Sequence, residues 1–182
     1  RAQVRMVLVG GAPGTGKSTL ALAIGEATGW PVLRSDEIRK DLAGLPHTPR
    51  DPGDFGVGLY APEFSDRVHT TMLERARRHL QEGEGVVLDA SWSSGARRDA
   101  ARRVATACAA PVIEIRCRVD PEIAAARIEE RRLAGEGPSD ATGQIARRLA
   151  ASADPWPQAR PLDTLAPPAV VLAEARALVG PT

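Results

Sequence analysis

Lysine, cysteine and aromatic residues are scarce in this chain, and each scarcity is informative. Among 24 basic residues only Lys17 and Lys40 are lysines, so either one stands out against an arginine background. That arginine bias, with abundant alanine, reads first as genome composition. Cysteine occurs twice, at Cys108 and Cys117, without metal-type spacing and too sparsely for a disulfide framework. This usage fits a reducing, cytoplasmic setting. Aromatic residues make up 3% of the chain, which leaves few stacking platforms for nucleic-acid bases. A net charge of +1 gives no strong footprint for a polyanion or a membrane surface. No apolar run approaches the roughly 18 residues of a membrane span, and no signal-peptide pattern opens the sequence, so no membrane partner is expected. His47, His69 and His79 show no ligand spacing. His69 and His79 fall in a helical pattern and read as surface residues, whereas His47, in a loop, is a candidate substrate contact.

What the chain does have is a phosphate-binding loop. The apolar run 7–9 leads into Gly11-x-x-x-x-Gly16-Lys17-Ser18, and an Ala/Leu/Ile-rich helical pattern follows. Strand, glycine-rich loop and helix in that order distinguish a working loop from a chance match. The glycines let the backbone curl its N–H groups toward a polyphosphate, and the helix N-terminus favours negative charge at the same place. Gly11, Ala12, Pro13, Gly14, Thr15, Gly16, Lys17, Ser18 and Thr19 are therefore the candidate nucleotide contacts. Lys17 is placed to bridge β- and γ-phosphates, and the Ser18 hydroxyl to ligate Mg²⁺.

The 182 residues fit a single domain with a full core. Strands are predicted at 4–9, 31–34, 86–89, 111–119 and near 161–163. Helices are predicted at 17–28, from an N-cap at Ser35, and at 63–81, 95–109, 122–134, 141–153 and 167–179. Residues 42–58 read as a loop. Regular alternation of strand and helix predicts an α/β fold, a parallel sheet covered on both faces. In such sheets ligands bind beyond the C-terminal strand ends, where the phosphate loop, Asp36 and Asp89 all fall.

Asp36, directly after the second strand, suits a base that orients an acceptor hydroxyl and takes its proton. Asp89 closes the hydrophobic strand Val86-Val87-Leu88-Asp89 and suits a Mg²⁺-organising acid. Arg39 lies one helical turn beyond Asp36, and Arg97 follows Asp89 on the acceptor side, so both are candidate substrate contacts. Arg98, Arg102 and Arg103 read as an exposed helix face. Arg127 and Arg131 share a helix face ahead of the break at Gly135-Glu136-Gly137 and are placed to close over transferring phosphates, with Arg132 beside them.

With these motifs the sequence resembles the P-loop kinases that include phage-type polynucleotide kinase, gluconate kinase and the zeta-toxin kinases. The resemblance implies a three-layer, nucleoside-kinase-like P-loop fold with five parallel strands and a small helical lid at about 127–145. Arg34-Ser35-Asp36-Glu37-Ile38-Arg39 resembles the polynucleotide-kinase segment that carries a general base and an acceptor-side arginine, which implies those roles for Asp36 and Arg39. Arg127 and Arg131 look like the group's lid arginines. The chain is closer still to bacterial ATP-binding proteins of this group, through 33–36, 87–92, 139–141 and 162–164. Some of those carry the domain after an aminoglycoside-phosphotransferase-like domain, and a chain that begins at Arg1 fits a piece of such a longer polypeptide. The expected activity is transfer of the γ-phosphoryl group of MgATP to a hydroxyl of a small molecule. A polynucleotide 5′-hydroxyl acceptor ranks second, given the modest arginine excess, and a regulatory ATP-binding switch third.

Overall fold

The computed structural model describes residues 4–47, 57–134 and 150–181. The strands are β1 (Met6–Gly10), β2 (Val32–Arg34), β3 (Val86–Asp89), β4 (Val112–Arg118) and β5 (Arg160–Asp163). They form one sheet in the order β2-β3-β1-β4-β5, with every neighbouring pair parallel. The helices are α1 (Lys17–Thr28), α2 (Ser35–Ala43), α3 (Pro62–Gln81), α4 (Gly95–Ala107), α5 (Pro121–Ala134) and α6 (Pro168–Val179), with a 3-10 turn at Val57–Tyr60.

Strand periodicity explains the layers. Successive side chains of a strand face opposite sides, so a sheet buried on both faces needs apolar residues at every position. All five residues of β1 are buried. Met6 and Leu8 enter one core with Val86, Leu88, Val68, Met72 and Ala101, under α3 and α4. Val7 and Val9 enter the other with Val87, Ile115, Leu20, Ile24 and Ala175, under α1 and α6. The result is the expected three-layer α/β arrangement with a five-stranded parallel sheet. No helix among the described residues is long and apolar enough to cross a membrane.

Several local expectations change. Ser35 is the first residue of α2 and not its N-cap; extended Arg34 holds that position because β2 runs straight into the helix. The predicted loop at 42–58 begins later, since α2 continues to Ala43, and 48–56 lie outside the described residues. Helix α4 stops at Ala107. His69 is buried, not at the surface, because it shares the inward stripe of α3 with Ser65, Met72 and Ala76. Arg98 is also buried, because its guanidinium donates to the Trp92 carbonyl (2.6 Å) and the Pro155 carbonyl (2.7 Å). The helix predicted at 141–153 and the lid beyond Ala134 fall almost wholly outside the described residues, as does the side chain of Arg132.

Candidate phosphate-binding site

The phosphate loop starts where β1 ends. Gly14 has φ +82° and Gly16 φ +80°, a region in which any Cβ is strained. At Gly14 an added Cβ would also stand 2.3 Å from the Ala124 carbonyl oxygen of α5. These two positions are therefore fixed as glycine by backbone shape and by close approach. Gly16 caps α1 without any side-chain hydrogen bond, and no acid occupies the first turn. The opening turn of α1 thus has neither a capping side chain nor a carboxylate to compete with an anion for its N–H groups. Thr15 stiffens the loop from within, its hydroxyl donating to the Ala12 carbonyl at 2.7 Å.

Lys17, Asp36, Asp89, Arg34 and Arg39 form one electrostatic cluster beyond the strand ends. Burial is the main influence on the Asp36 carboxyl and pushes its pKa up. Lys17 pulls it down, Asp89 pushes it up again, and Arg39 and Arg34 pull it down, with the balance left above the ordinary aspartate value. Parallel pairing sets Arg34 beside Asp89 in register. The Arg34 Nε donates to Asp89 Oδ2 at 3.2 Å and its Nη1 to Glu37 at 2.9 Å. Asp89 is 3% exposed, and its second oxygen, Oδ1, has no partner among the described residues. That orphaned buried oxygen and the Ser18 hydroxyl are hard oxygen donors of the kind Mg²⁺ takes, so the residues fit the ion.

The acceptor-side candidates are both engaged. Arg39 donates to the Leu59 carbonyl and to Ser65 Oγ (3.3 Å), and its guanidinium stacks 4.9 Å over the Tyr60 ring. Arg97 donates from Nε (3.1 Å) and Nη2 (2.9 Å) to Asp66 Oδ1. His69 sits beneath them, edge-on to Trp92 with ring centroids 5.4 Å apart. Trp92 itself holds a φ of +50° on the loop that follows Asp89. A left-handed bulky residue costs roughly 1–2 kcal/mol. It is held there by its indole N–H to the Leu88 carbonyl (3.2 Å) and by Arg98 on its own carbonyl. His47 pairs with Asp41 at 2.7 Å and is exposed.

Arg127 and Arg131 lie on another flank of the loop. They line a cavity of about 310 Å³ with Gly16, Thr19, Leu20, Thr164 and Pro168. Arg127 Nη2 donates to the Thr164 carbonyl at 3.0 Å, and Arg131 Nε to the Arg127 carbonyl at 3.2 Å. Both arginines therefore face the loop, separately from the Asp36 cluster. Arg34, His69 and Thr164 are site-proximal residues to which the sequence alone assigns no individual role at the site. For Arg34 the signal was present, a basic strand end two residues before Asp36, but its partner depends on which strand lies alongside.

A family described as an AAA domain matches residues 6–156. The chain belongs to that family. The chain is 39% identical over 166 residues to uncharacterized proteins of Mycobacterium tuberculosis and Mycobacterium bovis, covering 91% of this chain and 33% of theirs. The chain thus spans about a third of the length of these relatives. Among solved structures it resembles a sugar kinase from Janibacter sp. HTCC2649 (TM-score 0.70, 19% identity, 97% of this chain and 94% of that one). It resembles a gluconokinase from Sinorhizobium meliloti 1021 (0.68, 21%, 97% and 91%). It also resembles the Mycobacterium tuberculosis APS kinase CysC, solved with AMPPNP and APS (0.71, 17%, 98% and 99%). The AAA domain therefore has the fold of the P-loop kinase group.

Proposed function

We propose that this AAA domain transfers the γ-phosphoryl group of MgATP to a hydroxyl group of a small-molecule acceptor. The observation that carries the reading is the convergence of Asp36, Lys17 and Asp89 at the strand ends beside the phosphate loop. Kinship of fold with a sugar kinase, a gluconokinase and an APS kinase supports the same class. The residues at 11–19 would hold the phosphates, and Arg127 and Arg131 would border the rest of the nucleotide. Asp36 would accept the proton of the acceptor hydroxyl as its oxygen bonds to the γ-phosphorus and the bond to the β-γ bridging oxygen breaks, releasing ADP. Lys17 would balance charge gathering on that bridging oxygen and the γ-phosphoryl oxygens. Arg39 and Arg97 would orient the acceptor. Ser18 and Asp89 would hold Mg²⁺, which neutralises phosphate charge when bound.

The test is label transfer from γ-labelled ATP to a panel of polyols, sugar acids, aminoglycosides, nucleosides and a 5′-hydroxyl oligonucleotide, each beside a Lys17→Ala control. Label on a small molecule that vanishes in the control is the expected result. Label confined to the oligonucleotide would reassign the domain to nucleic-acid ends. Tight nucleotide binding with no transfer to any acceptor would overturn phosphotransfer in favour of a nucleotide switch.

A further inference from the structure

We infer that Thr164 is a positioning residue that locks the orientation of one peptide unit in the phosphate loop; the inference rests on the nucleotide-binding reading above. Thr164 follows β5 directly and is 9% exposed. It lies 149 residues from the loop in sequence, yet its hydroxyl donates to the Thr15 carbonyl at 2.7 Å. A second acceptor, the Arg118 carbonyl, stands 3.2 Å from the same hydroxyl. That carbonyl also receives the Thr164 backbone N–H at 2.9 Å, and the single hydroxyl proton favours the nearer Thr15 oxygen, 2.7 Å away against 3.2 Å.

The consequence follows from peptide geometry. In a trans peptide the C=O and the following N–H point in opposite directions. Fixing the Thr15 carbonyl toward Thr164 therefore turns the Gly16 N–H away from it, toward the concave side of 11–17 where a phosphate would lie. Gly16 is left-handed at φ +80° and has no Cβ, so no side chain at that position resists rotation of the 15–16 peptide. Without an external restraint it would sample the flipped orientation, which presents a carbonyl oxygen to the phosphate and repels it. The Thr164 hydroxyl selects the N–H-inward state before the nucleotide arrives.

The same residue reaches two further parts of the site. Its own carbonyl accepts Arg127 Nη2 at 3.0 Å, and it forms part of the wall of the 310 Å³ cavity beside Arg131 and Thr19. Thr164 thus joins the end of β4, the phosphate loop and the α5 arginine through hydrogen bonds of one residue.

The test compares Thr164→Val, which keeps shape and deletes the donor, with Thr164→Ser, which keeps the donor. Affinities for ADP and AMP are read by displacement of a fluorescent ADP, because the β-phosphate is the group the Gly16 N–H would meet. Thr164→Val is expected to weaken ADP about tenfold, the loss of one hydrogen bond to a charged group, while AMP changes less than about twofold. Thr164→Ser is expected to bind both like the wild type. Should the valine variant melt below the assay temperature, Thr164→Ala deletes the same donor and carries the same expectation. ADP binding by the donor-free variants within about twofold of wild type, or a parallel loss of ADP and AMP, would overturn the lock. Wild-type protein that binds no ADP would instead overturn the nucleotide reading itself.

Discussion

Protonation of His69 should unlatch stability at mildly acidic pH. The imidazole is 6% exposed and its Nδ1 lies 2.9 Å from the Ser65 carbonyl. Only an N–H can serve that carbonyl, so Nδ1 carries the proton and Nε2 is the bare acceptor, buried without a partner among the described residues. Burial lowers the pKa to about 4 against an ordinary 6.5; the Ser65 carbonyl raises it, and Arg97 and Arg39 lower it further. The unfolded chain therefore takes up a proton near 6.5 while the folded protein resists until about 4. Protons favour the unfolded state in that window, so stability is complete above 6.5 and is lost as pH falls through it. The loss from this one group amounts to about 2 kcal/mol by pH 5 and about 3 kcal/mol by pH 4. Asp36 works in the opposite direction, because its raised pKa lets the folded protein bind a proton first. Whole-protein curves mix the two, so the measurement is a difference. Urea unfolding of wild type and His69→Phe at pH 7.5, 6, 5 and 4.5 isolates His69, with phenylalanine preserving the edge-on packing on Trp92. The gap between the two proteins should be constant above pH 7 and shift toward the variant by the amounts above as pH falls. Parallel curves would refute the reasoning.

Further outcomes follow from Asp36 and Glu114. Asp36→Asn should retain ATP binding, lose at least about a hundredfold in transfer, and be more stable than wild type at neutral pH, because it no longer buries a charge. In the wild type the acid limb of the rate profile should lie above the ordinary aspartate value of 3.8, and label-transfer rates across pH would show this. Glu114 is 8% exposed and accepts Arg102 Nε and Nη2, each at 2.7 Å, as well as the Trp156 indole N–H. Removing it as Glu114→Ala leaves both donors without that acceptor and should cost about 3 kcal/mol, read by urea unfolding; a loss under about 1 kcal/mol would show that water replaces the carboxylate.

How far the sequence could be read depended on how local each cause was. The phosphate loop was legible because its chemistry lies within consecutive residues: Gly16 is glycine for the backbone shape that the motif itself encodes. The sheet was legible as alternating apolar strands, and its parallel sense followed from the helices between them. Strand order was not legible, and with it went the Arg34–Asp89 pair, which exists only because β2 lies beside β3 and not beside β1. Thr164 was beyond reach for the same reason on a larger scale, since its role depends on a carbonyl 149 residues away. His69 and Arg98 were different failures, of residue type against position. Residue type alone assigns both to solvent, where histidine and arginine usually lie. Yet His69 is four residues after Ser65 and three before Met72, so helical geometry alone places it on the inward stripe of α3. A neutral imidazole tolerates that position at modest cost, whereas a guanidinium does not unless acceptors meet it. Arg98 has two carbonyls to meet it, those of Trp92 and Pro155. The strained φ of Trp92 and the buried charge of Arg98 therefore explain each other: the loop carrying the chain away from Asp89 keeps its shape because the arginine holds the tryptophan carbonyl.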